Sequence, residues 1–123
     1  MRTLVIPTQT THPEIVTFEP TGYVTAANVK DLQAHLAEAV KSPSYSMYLV
    51  DMGKVEFLDS AGLMTLVSSY RLAQSLGKRL NICSITPSVR IIFELTQLDR
   101  VLPIFEDRSA FEASLNEEAQ MTA

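Results

Sequence analysis

Residues 47–83 read MYLVDMGKVEFLDSAGLMTLVSSYRLAQSLGKRLNIC, and their order decides the fold. Met47–Val50 is an unbroken apolar run that ends at Asp51, the pattern of a central strand covered on both faces. A turn at Met52-Gly53-Lys54 leads to a second apolar stretch, Val55-Glu56-Phe57-Leu58, and then to Asp59. From Ser60 to about Leu76 the period lengthens: Leu63, Leu66, Val67, Tyr70 and Ala73 fall on one helical face. Gly77 stands where a helix stops, and Leu80 to Ile85 is again strand-like. Strand, helix and strand in this order imply a parallel crossover.

The same alternation continues in both directions. Downstream, Thr86-Pro87 opens a helix that carries Val89, Ile92 and Phe93, with proline at the first helical position. Val101–Phe105 reads as a last short strand, and Pro103 within it argues for a sheet edge. Asp107 caps a final helix holding Phe111 and Leu115, and residues 117–123 read as a frayed, flexible tail. Upstream, Val29, Leu32, Leu36 and Val40 form the apolar stripe of a helix expected from a Thr25 cap to Lys41. Ser42-Pro43-Ser44 ends it. Pro20-Thr21-Gly22 turns the chain before Tyr23-Val24, a short extended piece. Thr3–Ile6 and Ile15–Phe18, separated by the polar break at residues 9–13, suggest an N-terminal hairpin. The expected architecture is α/β: one domain over residues 1–116, a mixed and mostly parallel sheet with an N-terminal hairpin, and about four helices packed against it.

Composition narrows the function. The 123 residues suffice for one domain with an ordinary core, at 46% hydrophobic and 20% charged. The net charge is −4, and the densest basic stretch is only Lys78-Arg79, so nucleic acid is not an expected partner. Cys83 is the one cysteine, which rules out an intrachain disulfide and suits a reducing compartment. The opening MRTLVIPTQTTHPE lacks the continuous apolar core of a signal peptide, and no run approaches the ~20 apolar residues of a membrane span. A cytoplasmic, monomeric protein is the expectation.

Catalytic constellations are missing from the sequence. His12 and His35 have no companions at metal-ligand spacing, so no metal or cofactor is expected. Cys83, between Ile82 and Ser84, has nothing nearby to activate it. No phosphate-binding glycine loop and no nucleophile elbow occur. The exception is Leu58-Asp59-Ser60-Ala61-Gly62-Leu63, where an apolar stretch delivers an Asp-Ser pair to a helix start. Ser60 at the cap would lie near free backbone amides, which tolerate an anion. Phosphate there would add about −1.5 to −2 charges beside Asp59. Ala61 and Gly62 leave the hydroxyl sterically open, and a glycine so early in a helix suggests close approach of another group. The bland alternative stays open, because Asp-Ser ahead of a helix is also a plain cap. Met64 likewise stands either at the surface or at the edge of the core.

Asp59-Ser60-Ala61-Gly62-Leu63, preceded by Val55-Glu56-Phe57-Leu58, resembles the signature of STAS domains in bacterial anti-sigma factor antagonists. The resemblance extends to Tyr48-Leu49-Val50-Asp51-Met52, to Gly77-Lys78-Arg79-Leu80 and to Val89 through Asp107, and covers roughly Thr3 to Leu115. It implies a non-enzymatic binding module. Its partners would be an anti-sigma factor that is also a serine kinase, phosphorylating Ser60, and a PP2C-type phosphatase that restores it. The unphosphorylated form would bind the kinase and free the sigma factor. Leu58, Asp59, Ser60, Ala61, Gly62, Met64 and Thr25 are the expected contact residues. Many members carry Asp where this chain has Thr25, which puts a carboxylate's role in that loop in doubt. The family also includes subunits of transport systems and signalling scaffolds that need no phosphorylation, an alternative the residues leave open.

Overall fold

The computed structural model describes residues 7–8 and 15–122. Its main sheet has the order β1-β2-β4-β6-β7, built from Pro7–Thr8, Ile15–Phe18, Met47–Asp51, Arg79–Cys83 and Ile104–Phe105. β1 runs antiparallel to β2, with Pro7 opposite Phe18, while every other neighbour in this sheet is parallel. The antiparallel start agrees with the expected hairpin, although the first arm assigned to it, residues 3–6, lies outside the described residues. Two further strands, β3 (Gly22–Val24) and β5 (Val55–Leu58), pair in parallel as a separate ribbon.

β4 lies at the centre of the sheet, and its apolar run follows from cover on both sides. Tyr48 and Val50 belong to the large cluster formed with α1 (Val29–Lys41), α2 (Ser60–Ser75) and α3 (Pro87–Leu95). Leu49 points the other way, into a small cluster with Ile15, Cys83 and Phe111 of α4 (Arg108–Thr122). Three helices and the ribbon therefore occupy one face, and α4 occupies the other. The Tyr48 hydroxyl, carried into the core, donates to the Ala39 and Tyr45 carbonyls at 2.9 Å each.

Several boundaries differ from the sequence reading. α1 begins at Val29, because residues 25–28 first form a turn in which the Asn28 and Val29 amides both reach the Thr25 carbonyl. Thr25 therefore supports that turn, its hydroxyl accepting from the Ala27 amide at 3.3 Å, and is not the helix cap. Ser60 is not the cap of α2 either; Asp59 is, and Ser60 is the first helical residue. The last strand shrinks to Ile104–Phe105, since residues 98–100 form a 3-10 turn behind Gln97, whose φ is 60°. The Pro103 carbonyl still accepts from the Ile82 amide, and β7 is a sheet edge as its proline suggested. The tail expected from Glu117 continues α4 as far as Thr122.

Helix ends are closed by identifiable bonds. Gly77 has φ 72°, and the amides of Gly77 and Lys78 return to the Gln74 and Ala73 carbonyls, which stops α2. Lys78 Nζ then reaches across to donate to the Val40 and Ser42 carbonyls, both at 2.6 Å, where α1 ends. A cation at that C-terminus satisfies orphan carbonyls and opposes the helix dipole. Lys78→Met, which keeps the stem and removes the donor, should cost about 1 kcal/mol in urea unfolding, a charged hydrogen bond discounted for partial exposure. An unchanged midpoint would show that water replaces the lysine without loss.

Candidate functional site

The strand-to-helix junction at Leu58–Leu63 is built around the Asp59 carboxylate. One oxygen, Oδ1, accepts from the Gly62 amide at 3.0 Å and so caps α2. The other, Oδ2, accepts from the Ala26 amide at 2.9 Å, in the turn that follows β3. The Asp59 amide donates to the Val24 carbonyl at 3.2 Å. A single side chain thus ties the start of α2 to the turn at 25–28, and the parallel pairing of β3 with β5 brings the two together.

Amide donors from Ala26 and Gly62, in that order of effect, hold the Asp59 carboxyl below the usual carboxylate range, against a smaller opposing effect of burial. A group whose folded pKa is depressed stabilises the fold above its ordinary pKa and loses that contribution as pH falls through the folded value. Asp59→Ala should therefore be less stable than wild type near neutral pH. The gap should narrow on acidification below the ordinary carboxylate range, as read by thermal melts across that window. A gap that stays constant down to the most acidic samples would mean that the charge is not what holds the junction.

Gly62 is buried because the chain at β3 passes over it. A Cβ built on Gly62 would lie 2.6 Å from the Val24 carbonyl oxygen and 3.3 Å from Val24 Cγ1. The close approach suggested by this glycine is to the protein's own backbone. Leu58, only 1% exposed, is in the core, so its expected place in a contact surface is corrected: it anchors the junction from beneath. Side chains alternate unevenly along β5, with Val55 and Leu58 buried while Glu56 and Phe57 face outward.

What remains on the surface is narrow. Ser60 is exposed, and Met64, one turn further along the same helical face, is 53% exposed. Ala61 is half-buried against the core, and Thr25 is half-buried in the turn next to Ala26. Tyr23 and Phe57 add an aromatic pair on the outer side of the ribbon, ring centroids 5.9 Å apart and 44% and 42% exposed. Sequence reasoning missed this pair, since nothing along the chain links a residue at 23 with one at 57 until β3 and β5 are known to pair. Asp59's capping role was missed because Asp and Ser are nearly equal as caps.

Elsewhere, chemistry is sparse. Among the described residues no group of three or more His, Cys, Asp and Glu side chains could hold a metal ion. Cys83 is buried, and burial pushes its thiol up to about 11, far from a reactive thiolate. Among the described residues no helix is long and apolar enough to cross a membrane.

Known proteins place this arrangement. The chain is 29% identical over 93 residues to BtrV of Bordetella bronchiseptica, named as an anti-sigma factor antagonist, across 76% of this chain and 79% of that one. A Thermotoga maritima protein described as an anti-sigma factor antagonist superposes with a TM-score of 0.79, at 18% identity over 93% of this chain and 94% of that one. The anti-sigma factor antagonist SpoIIAA in its unphosphorylated form gives 0.74 at 16% identity, over 93% and 96%. At these identities the two structures speak for the fold. The family model for the STAS domain matches residues 7–110, from the hairpin strand through the start of α4, and the chain belongs to the STAS domain family.

Proposed function

We propose that this protein is an anti-sigma factor antagonist whose binding to an anti-sigma factor with serine-kinase activity is switched off by phosphorylation of Ser60. In this reading the unphosphorylated form occupies the kinase and frees the sigma factor, and a PP2C-type phosphatase reverses the modification. The protein itself catalyses nothing and works in the cytoplasm as a monomer. The observation that carries the proposal is the division of labour at the junction. Asp59 makes the cap, which leaves the exposed Ser60 side chain without that duty, at a helix start where backbone amides tolerate an anion. Names among the relatives support the same reading: BtrV and SpoIIAA are both called anti-sigma factor antagonists, and SpoIIAA also exists in a phosphorylated form.

Met64, Ala61, Asp59 and Thr25 would surround the modified residue in the contact, with Gly62 and Leu58 setting its position from below. The direct test is intact-mass analysis after incubation with the host's serine kinases and ATP, followed by location of the phosphate. One added phosphate on Ser60, absent from Ser60→Ala, is the expected result. Phosphate on another residue, or none with any of the kinases, overturns the switch. Co-purification with a permease component in that case would favour the transport-subunit alternative.

A further inference from the structure

The register of the ribbon fixes which of its side chains face outward. Val24 pairs with Leu58, and Tyr23 pairs with Phe57. Val24 and Leu58 are both buried in the large core cluster. Successive residues of a strand point to opposite faces, so Tyr23 and Phe57 turn away from the core together and their rings meet at 5.9 Å. Each ring stays more than two-fifths exposed. Aromatic side chains of this kind are enriched where one protein surface meets another.

Distance decides which exposed apolar residues can share a contact with Ser60. A stable interface covers about 800 Å² on each partner, a disc about 16 Å in radius. Phe57 stands three residues before Ser60, so their Cα atoms are at most about 11 Å apart. Met64 lies four residues beyond Ser60, about 6 Å along the axis of α2. A partner centred on Ser60 therefore reaches Phe57, the Tyr23 ring against it, and Met64. Leu76 is 47% exposed but closes the far end of α2, about 24 Å from Ser60, and falls outside such a disc. Acidic groups flank the rings: Glu56 faces outward next to Phe57, and Asp59 follows Leu58.

We infer that Tyr23 and Phe57 anchor the contact with the anti-sigma factor kinase, which receives both rings in an apolar pocket with basic groups facing Glu56 and Asp59. The inference rests on the reading of Ser60 as the centre of that contact. It divides the work between two parts of the surface. The rings supply affinity, since a few buried aromatic side chains carry most of the energy of an interface. Ser60 supplies control, since phosphate acts through charge. Pairing of β3 with β5 holds the rings, so they keep their place in either state of Ser60.

Calorimetric titration tests this on the full chain, against the host anti-sigma factor kinase that the unmodified protein binds most tightly. Phe57→Ala should weaken binding about 30-fold and Tyr23→Ala about tenfold, the size of losses at interface anchors. Leu76→Ala, an apolar change of similar exposure beyond the disc, should stay within about twofold of wild type. If the rings only hold the ribbon together, both ring variants melt earlier while the folded protein binds within about threefold of wild type, and the inference is overturned. Equal weakening by Leu76→Ala overturns it as well, because affinity would then be spread over the whole apolar surface. Should Phe57→Ala not fold, Tyr23→Ala decides by the same thresholds. Ser60→Ala and Ser60→Glu, titrated alongside with both rings intact, separate the anchor from the switch. A wide gap between those two with the ring variants unaffected removes the anchor alone. No gap, with the ring variants weakened, removes the switch and leaves the anchor standing.

Discussion

Ser60→Glu is expected to bind the cognate kinase at least about 100-fold more weakly than Ser60→Ala, a difference of about 2.8 kcal/mol. The expected difference comes from charge. Ser60 is exposed beside an ionised Asp59 and carries no part of the cap, so either substitution leaves the junction's hydrogen bonds in place. Both variants should melt within about 0.5 kcal/mol of wild type, the usual range for surface changes. Binding is another matter. The centre of a protein interface excludes charges that lack partners, and stripping water from an unpaired anion costs several kcal/mol. A second negative charge next to Asp59 adds repulsion to that cost. True phosphate, at about −1.5 to −2, should act more strongly than glutamate. Calorimetric titration of the two variants against the kinase reads the difference, and affinities within threefold of each other would end the phosphoswitch reading.

Gly62→Val should destabilise the fold by at least about 3 kcal/mol in denaturant unfolding. The helix would welcome any side chain at this position, since glycine costs about 1 kcal/mol relative to alanine. Space forbids it. The first added carbon would meet the Val24 carbonyl oxygen at 2.6 Å, and the obstacle is backbone, held in turn by the Asp59 amide. Relief requires α2 to move away from β3, and overpacking of this kind costs about 1–3 kcal/mol for smaller intrusions than a β-branched one. The movement would also part Asp59 from Ala26 and shift Ser60, so kinase binding should fall with stability. Gly62→Ala gives the graded version, with steric cost partly offset by helix propensity. A Gly62→Val protein as stable as wild type would mean that β3 yields freely, and that the junction is not a rigid platform.

Much of this was readable along the chain. The unbroken run at Met47–Val50 announced a strand covered on both faces, and it stands at the sheet's centre. The stripe of Val29, Leu32, Leu36 and Val40 named the buried face of α1 correctly. Gly77 marked the end of α2 and Pro103 marked an edge, because both residues restrict the backbone locally. The segment around Ser60 was legible as a strand-to-helix junction for the same reason. Local rules left its finer assignment open: Asp and Ser are near-equal caps, and the choice of Asp59 was made by a second donor, the Ala26 amide, 33 residues away.

The sequence by itself determined the kind and order of the elements, since periodicity, caps and turns are properties of a few neighbouring residues. Only the tertiary structure decided which surface those elements present. It sent Leu58 into the core and left Met64 outside, paired Tyr23 with Phe57 across a ribbon apart from the main sheet, and laid α4 through Phe111 on the second face. Each of these outcomes depends on contacts between distant segments, whose free energy comes from burial and hydrogen bonding that no local window contains.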